Sequence, residues 1–172
     1  ALARDEIEGR LYALEPGRDN LVARVTGNGS KLPILIMGHT DVVGVQRENW
    51  SVEPFDAVRR DGYIYGRGSL DDKDSVTAGL MLLLMLKRYQ VELDRDVIFL
   101  AEAGEEGTPH VGIDFMVNEH WNEIDSQYCL AEGGGAVARD GQVRYVSIAT
   151  AEKFPMRVQL VAHGTAGHGS AP

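Results

Sequence analysis

The sequence predicts an α/β fold with a largely parallel central sheet. Three observations carry that prediction. Short apolar runs at residues 34–37 and 97–100 are bounded by proline, glycine or charge, which marks buried strands. Between them lies a helix-length segment, residues 74–89, that is apolar almost all round and so belongs against a sheet. Strands alternating with buried helices pair in parallel, since each helical crossover returns the chain to the edge it started from.

In chain order, Ile7, Leu11 and Leu14 have the spacing of one helix face, so residues 4–14 are expected to form a short helix ended by Pro16-Gly17. Residues 21–25 read as a strand and Gly27-Asn28-Gly29 as a turn. The strand at 32–37 runs into His39 and Asp41, which share a face if strand geometry persists. Residues 45–55 are irregular. Asp61-Gly62, between 56–60 and 63–65, is a two-residue hairpin signal. The loop 66–73 feeds the helix at 74–89, with Asp72 or Asp74 as its N-cap. Residues 96–101 form the clearest buried strand. A helix over 111–119 and strands over 127–130, 143–149 and 155–162 complete the reading.

Composition narrows the function. The 172 residues suffice for one ordinary domain, and 44% apolar with 25% charged content is typical of globular chains. A net charge of −9 argues against a nucleic-acid partner, which demands a basic patch. The longest apolar run, residues 80–86, is too short to span a bilayer, so no membrane partner is expected. A single cysteine, Cys129, rules out an internal disulfide and suits a reducing compartment. A cytoplasmic location is therefore expected. An exported form stays open, because the first residues read as the middle of a protein.

Three expected strands end, after Met37, Leu100 and Leu130, in loops bearing His or carboxylate. Sites in parallel sheets form at that edge. The residues gathered there are His39, Asp71, Glu105, Glu106 and Glu132. A neutral imidazole ligates metal well when a carboxylate or carbonyl holds its other nitrogen, and Asp41 is the near candidate for that. A mixed N/O donor set suits zinc, with cobalt or manganese open. Glu105-Glu106 repel unless a cation or a proton separates them. One Glu on the metal and the other as general base resolves this. Each motif alone also reads as an ordinary polar turn; their convergence is the signal. His110, His120 and His163 read as surface or packing residues.

GHTDVVG, YGRGSLDDK, AEAGEEG and AEGGG, in this order, resemble the co-catalytic di-zinc exopeptidase family that includes aminoacylase, carboxypeptidase G, carboxypeptidase S, acetylornithine deacetylase and succinyl-diaminopimelate desuccinylase. The resemblance covers nearly the whole chain. It implies the N-terminal part of a three-layer α/β/α catalytic domain over residues 1–152, and from 153 to 172 the start, with the first strand, of a second, lid or dimerisation domain that is truncated here. It implies two Zn2+ per site, or Co2+ or Mn2+. His39 and Glu132 would hold the first metal, Glu106 the second, and Asp71 both. Asp41 would orient His39, a cis peptide would follow Asp71, and Glu105 would be the general base. His168 would reach over the site to stabilise the oxyanion, often across a dimer. The implied reaction is cleavage of an amide or peptide bond near a free carboxylate in a small peptide; an N-acyl amino acid substrate is the alternative.

Two departures stand out. Ala131 replaces the Asp found beside the corresponding Glu in relatives of aminoacylase, which leaves Glu132 as the ligand. The family's further His ligand is not found before Pro172. The resemblance therefore reads the chain as a fragment without turnover of its own. A catalytically incomplete metal-binding relative is the other reading.

Overall fold

The structure, a computed structural model, describes residues 1–148, 158–161 and 163. It divides into two compact units, residues 1–132 and 133–172. The first contains a five-stranded sheet in the order β1-β2-β6-β3-β7. These strands are β1 (Gly9–Ala13), β2 (Asp19–Val25), β3 (Ile34–His39), β6 (Val97–Glu102) and β7 (Tyr128–Leu130). A separate hairpin joins β4 (Val58–Arg60) to β5 (Tyr63–Tyr65). The helices are α1 (Lys73–Arg88), α2 (Ile113–Glu119) and α3 (Trp121–Ile124).

The α/β class holds, and the sheet is mixed. β3 runs parallel to β6 and to β7, whereas β2 is antiparallel to both β1 and β6. All six residues of β6 are buried, and their alternation feeds two cores. Val97, Phe99 and Ala101 pack with Ile7, Leu83 and Leu84 on the α1 face. Ile98 and Leu100 pack with Val22, Leu35, Met116 and Ile124 on the face of α2 and α3. Helices thus cover both faces, as a sheet with parallel core strands requires.

The helix expected at 4–14 does not form. A 3-10 turn covers Leu2–Asp5, Glu6 leaves it at φ 55, and residues 9–13 become β1. Sheet pairing overrides the helical spacing. Ile7 enters the core, but Leu11 and Leu14 are exposed, and β1 bonds along β2 from Gly9–Ala23 to Ala13–Asp19. Arg88 of α1 then fixes the turn, donating from Nε and Nη2 to the Asp5 carboxylate at 2.7 and 2.9 Å.

Helix α1 is one residue longer at its start than expected and is buried along one stripe only: Gly79, Leu83 and Leu84. Met81, Leu82 and Met85 are exposed, which corrects the expectation of burial all round. Gly79 sets the approach to the sheet, since a Cβ there would lie 2.7 Å from Phe99 Cε2. The expected 111–119 helix divides at Gly112 into a 3-10 turn, Pro109–Val111, and α2.

In the second unit, β8 (Gly135–Arg139) pairs antiparallel with β9 (Gln142–Ser147). The sequence reading gave no strand before 143. The missed signal is Asp140-Gly141, both at positive φ (54 and 73), the same chemistry as Asp61-Gly62 (53 and 81) in the β4–β5 hairpin. Half of the expected strand at 155–162 lies outside the described residues, and its described part, 158–161, has no regular structure. Among the described residues no helix is long and apolar enough to cross a membrane.

Candidate metal centre

Parallel pairing brings the C-terminal ends of β3, β6 and β7 to one sheet edge. His39 is the last residue of β3 and lies opposite Glu102, the last of β6. Its imidazole is buried, at 1% exposure. Gly38 permits this packing: a Cβ there would lie 2.5 Å from Asp72 Oδ2, the oxygen that accepts the His39 backbone N–H at 3.1 Å.

Three carboxylates converge on one ring nitrogen. His39 Nε2 lies 3.0 Å from Asp71 Oδ1, 3.3 Å from Glu132 Oε2 and 3.9 Å from Glu105 Oε2. The other nitrogen, Nδ1, lies 3.0 Å from the Asp41 carbonyl oxygen and 3.4 Å from its Oδ1. Strand geometry ends at His39, so Asp41 does not continue its face. The Asp41 carboxylate instead accepts the backbone N–H groups of Glu105 and Glu106, each at 3.1 Å.

Two donor groups could each hold a cation. Ligand atoms of His39, Asp71 and Glu106 lie within 4.8 Å of one another, as do those of His39, Asp72 and Glu132. Among the described residues no Lys or Arg forms an ion pair with Asp71, Asp72, Glu105, Glu106 or Glu132. Lys73 is turned away, its Nζ donating to the Thr40 carbonyl. Such an acidic cluster asks for protons or metal. Burial works against a charged His39, but the Asp41 carbonyl and the Asp71, Glu132 and Glu105 carboxylates outweigh it and raise its pKa. Burial, then the Asp72, Asp71 and Glu105 charges, push Glu132 up against the pull of His39.

Sequence reasoning missed two residues. Asp72, read as one of two helix caps, occupies the N-cap position but makes no capping bond and turns its buried carboxylate to His39. It follows the cis Asp71–Asp72 peptide. Glu102 is buried, with Oε2 lacking any partner. Burial, with the Asp41 and Glu105 charges, lifts its pKa to about 7 against the Ile113 backbone N–H and His39. Its place just before the AGEEG turn was the available signal. His168 lies outside the described residues. His120 is a packing residue, its ring 4.4 Å from that of Tyr12 and 4.8 Å from that of Phe115.

The model of peptidase family M20/M25/M40 matches residues 35–164. The chain belongs to that family. The human N-fatty-acyl-amino acid synthase/hydrolase PM20D1 is 35% identical over 149 residues, 81% of this chain and 28% of its own length. A succinyl-diaminopimelate desuccinylase of Delftia acidovorans is 32% identical over 158 residues, 89% of this chain and 39% of its own. Among solved structures, an M20 metallo-carboxypeptidase of Sulfolobus solfataricus superposes with TM-score 0.63 at 26% identity, covering 76% of this chain and 29% of its own. The human carnosine dipeptidase 1 superposes with TM-score 0.59 at 20% identity, over 76% of this chain and 30% of its own, which supports the fold. The M20 chain described here thus spans 28% and 39% of the lengths of the two curated relatives named.

Proposed function

We propose that the protein containing this M20 chain is a metal-dependent hydrolase that cleaves an amide or peptide bond near a free carboxylate, as an exopeptidase of carboxypeptidase type does. The observation that carries the reading is the convergence of Asp71, Glu105 and Glu132 on His39 Nε2 with no cationic side chain among the described residues paired to offset them. His39, Asp71, Glu106 and Glu132 would hold two Zn2+ ions, or Co2+ or Mn2+. Bound there, the ions would polarise the scissile carbonyl and acidify the attacking water. Glu105 takes the proton of that water and passes it to the leaving nitrogen. Asp41 fixes the main chain of the Glu105-Glu106 turn, and Asp72 fixes that of His39.

A second reading, an N-acyl amino acid deacylase, is favoured by the names of the human and Delftia relatives. A metal-binding relative with an incomplete site is the third, favoured by Ala131. Residues 153–172 would open a lid or dimerisation domain, with His168 stabilising the oxyanion and a homodimer forming through that domain. A cytoplasmic location belongs to this reading and is supported by the single cysteine.

The test is Glu105→Gln in the whole protein. Turnover of dipeptides and N-acyl amino acids should fall about 100-fold or more while bound metal, measured by elemental analysis, is kept. Activity retained with the metal in place would remove Glu105 from its role.

A further inference from the structure

Beside the loops that carry Asp41 and Asp71 lies a cavity of about 660 Å³ that none of the candidate metal ligands lines. That volume falls within the roughly 300–1,000 Å³ of small-molecule sites. Val42, Pro54, Phe55 and Ile64 form an apolar wall, and the first turns of α1 close the other side. Phe55 and Ile64 are more than half exposed, apolar surface left in water along that wall.

Arg67 stands at this cavity. Its guanidinium carbon lies 5.4 Å from the Trp50 ring centroid, so the indole takes one face. Its Nε is buried with no hydrogen-bond partner. Among the described residues Arg67 has no ion-pair partner either. Buried donors are almost always satisfied, and a fork of this shape matches a carboxylate in bidentate fashion. Lys73, also on the rim, is held by the Thr40 carbonyl, and Asp74 on the α1 side repels an anion, which leaves the Arg67 end for negative charge.

We propose that this cavity binds a straight-chain carboxylate, the carboxylate on Arg67 and the alkyl chain between the Val42–Phe55–Ile64 wall and α1. A free fatty acid and an N-acyl amino acid share that chemistry. The test uses the whole protein that contains this chain. Decanoate is titrated by tryptophan fluorescence and by calorimetry. Saturable binding is expected, with butyrate and decanol each at least about tenfold weaker because one lacks the chain and the other the charge. Arg67→Gln should weaken decanoate by a similar factor, and so should Ala78→Phe, which fills the cavity from an exposed helix position and keeps the test alive if the Arg67 variant misfolds. N-decanoylglycine binding tighter than decanoate establishes the site with an acylated amino acid as occupant, and the reverse order establishes it with a free fatty acid. No binding to a chain with native circular dichroism overturns the proposal. So does decanol binding as tightly as decanoate, or binding indifferent to Ala78→Phe.

Discussion

The Asp41 carboxylate clamps the main chain of Glu105, accepting its N–H on Oδ1 at 3.1 Å while Oδ2 takes that of Glu106. One short side chain from the β3 loop thus sets the turn after β6, where the paired Glu residues stand. An Asn here presents an NH₂ to one of two N–H donors. Asp41→Asn is therefore expected to cost about 1.5–3 kcal/mol, the range for hydrogen bonds to a charged group. Urea unfolding at pH 7 checks it; a loss below about 0.5 kcal/mol would mean the turn holds its shape without the clamp.

Metal should bind the folded chain and not the unfolded one, since its donors come from the end of β3 and from three loops distant in sequence. Added Zn2+ is expected to raise the melting temperature, and a chelator to reverse the rise. His39→Ala and Asp71→Asn should each remove most of the shift. A full shift in the double variant would place the metal elsewhere.

Gly79→Ala sets two effects against each other. Helix propensity favours Ala by about 1 kcal/mol. The new Cβ would lie 2.7 Å from Phe99 Cε2 and 3.3 Å from Ile36 Cγ2, inside a filled core, and such overpacking costs about 1–3 kcal/mol. Net destabilisation is expected, read as a lower urea midpoint at unchanged slope. A raised midpoint would show that α1 can lift off the sheet cheaply.

Glu102 should make the metal-free chain less stable as pH rises. Its folded pKa of about 7 stands above the ordinary glutamate value of 4.5, so between those values the folded state holds more protons than the unfolded. Stability from this group is full below the lower value and is lost as pH climbs through the upper one. The loss is on the order of 3 kcal/mol. Glu102→Gln keeps an acceptor for the Ile113 N–H and should flatten the profile, so that it exceeds the parent chain in stability at pH 8. Parallel profiles for the two would dismiss the assignment.

The features that local chemistry controls were legible in the sequence. The apolar runs of β3 and β6, the helix at 73–88, the Asp61-Gly62 hairpin and the carboxylates in their glycine-flanked turns need only neighbours within a few residues to be recognised. Residues 9–13 were not legible, because their state depends on β2, which offers ladder bonds that outweigh a helical spacing. The role of Asp72 depends on Gly38, more than thirty residues away, whose missing Cβ lets the carboxylate reach the His39 amide. The exposed side of α1 was hidden too, since an apolar sequence does not tell which side meets the sheet.

The sequence by itself determined which groups reach a strand end: one imidazole, five carboxylates and the glycines that let the chain turn beside them. The tertiary structure decided which of these meet. Parallel pairing of β3 with both β6 and β7 brings Glu102 and Glu132, distant in sequence, to the edge where His39 ends its strand. The physical reason is that strand order and helix packing come from burying two apolar faces at once, a condition on the whole first unit that no local stretch of sequence contains.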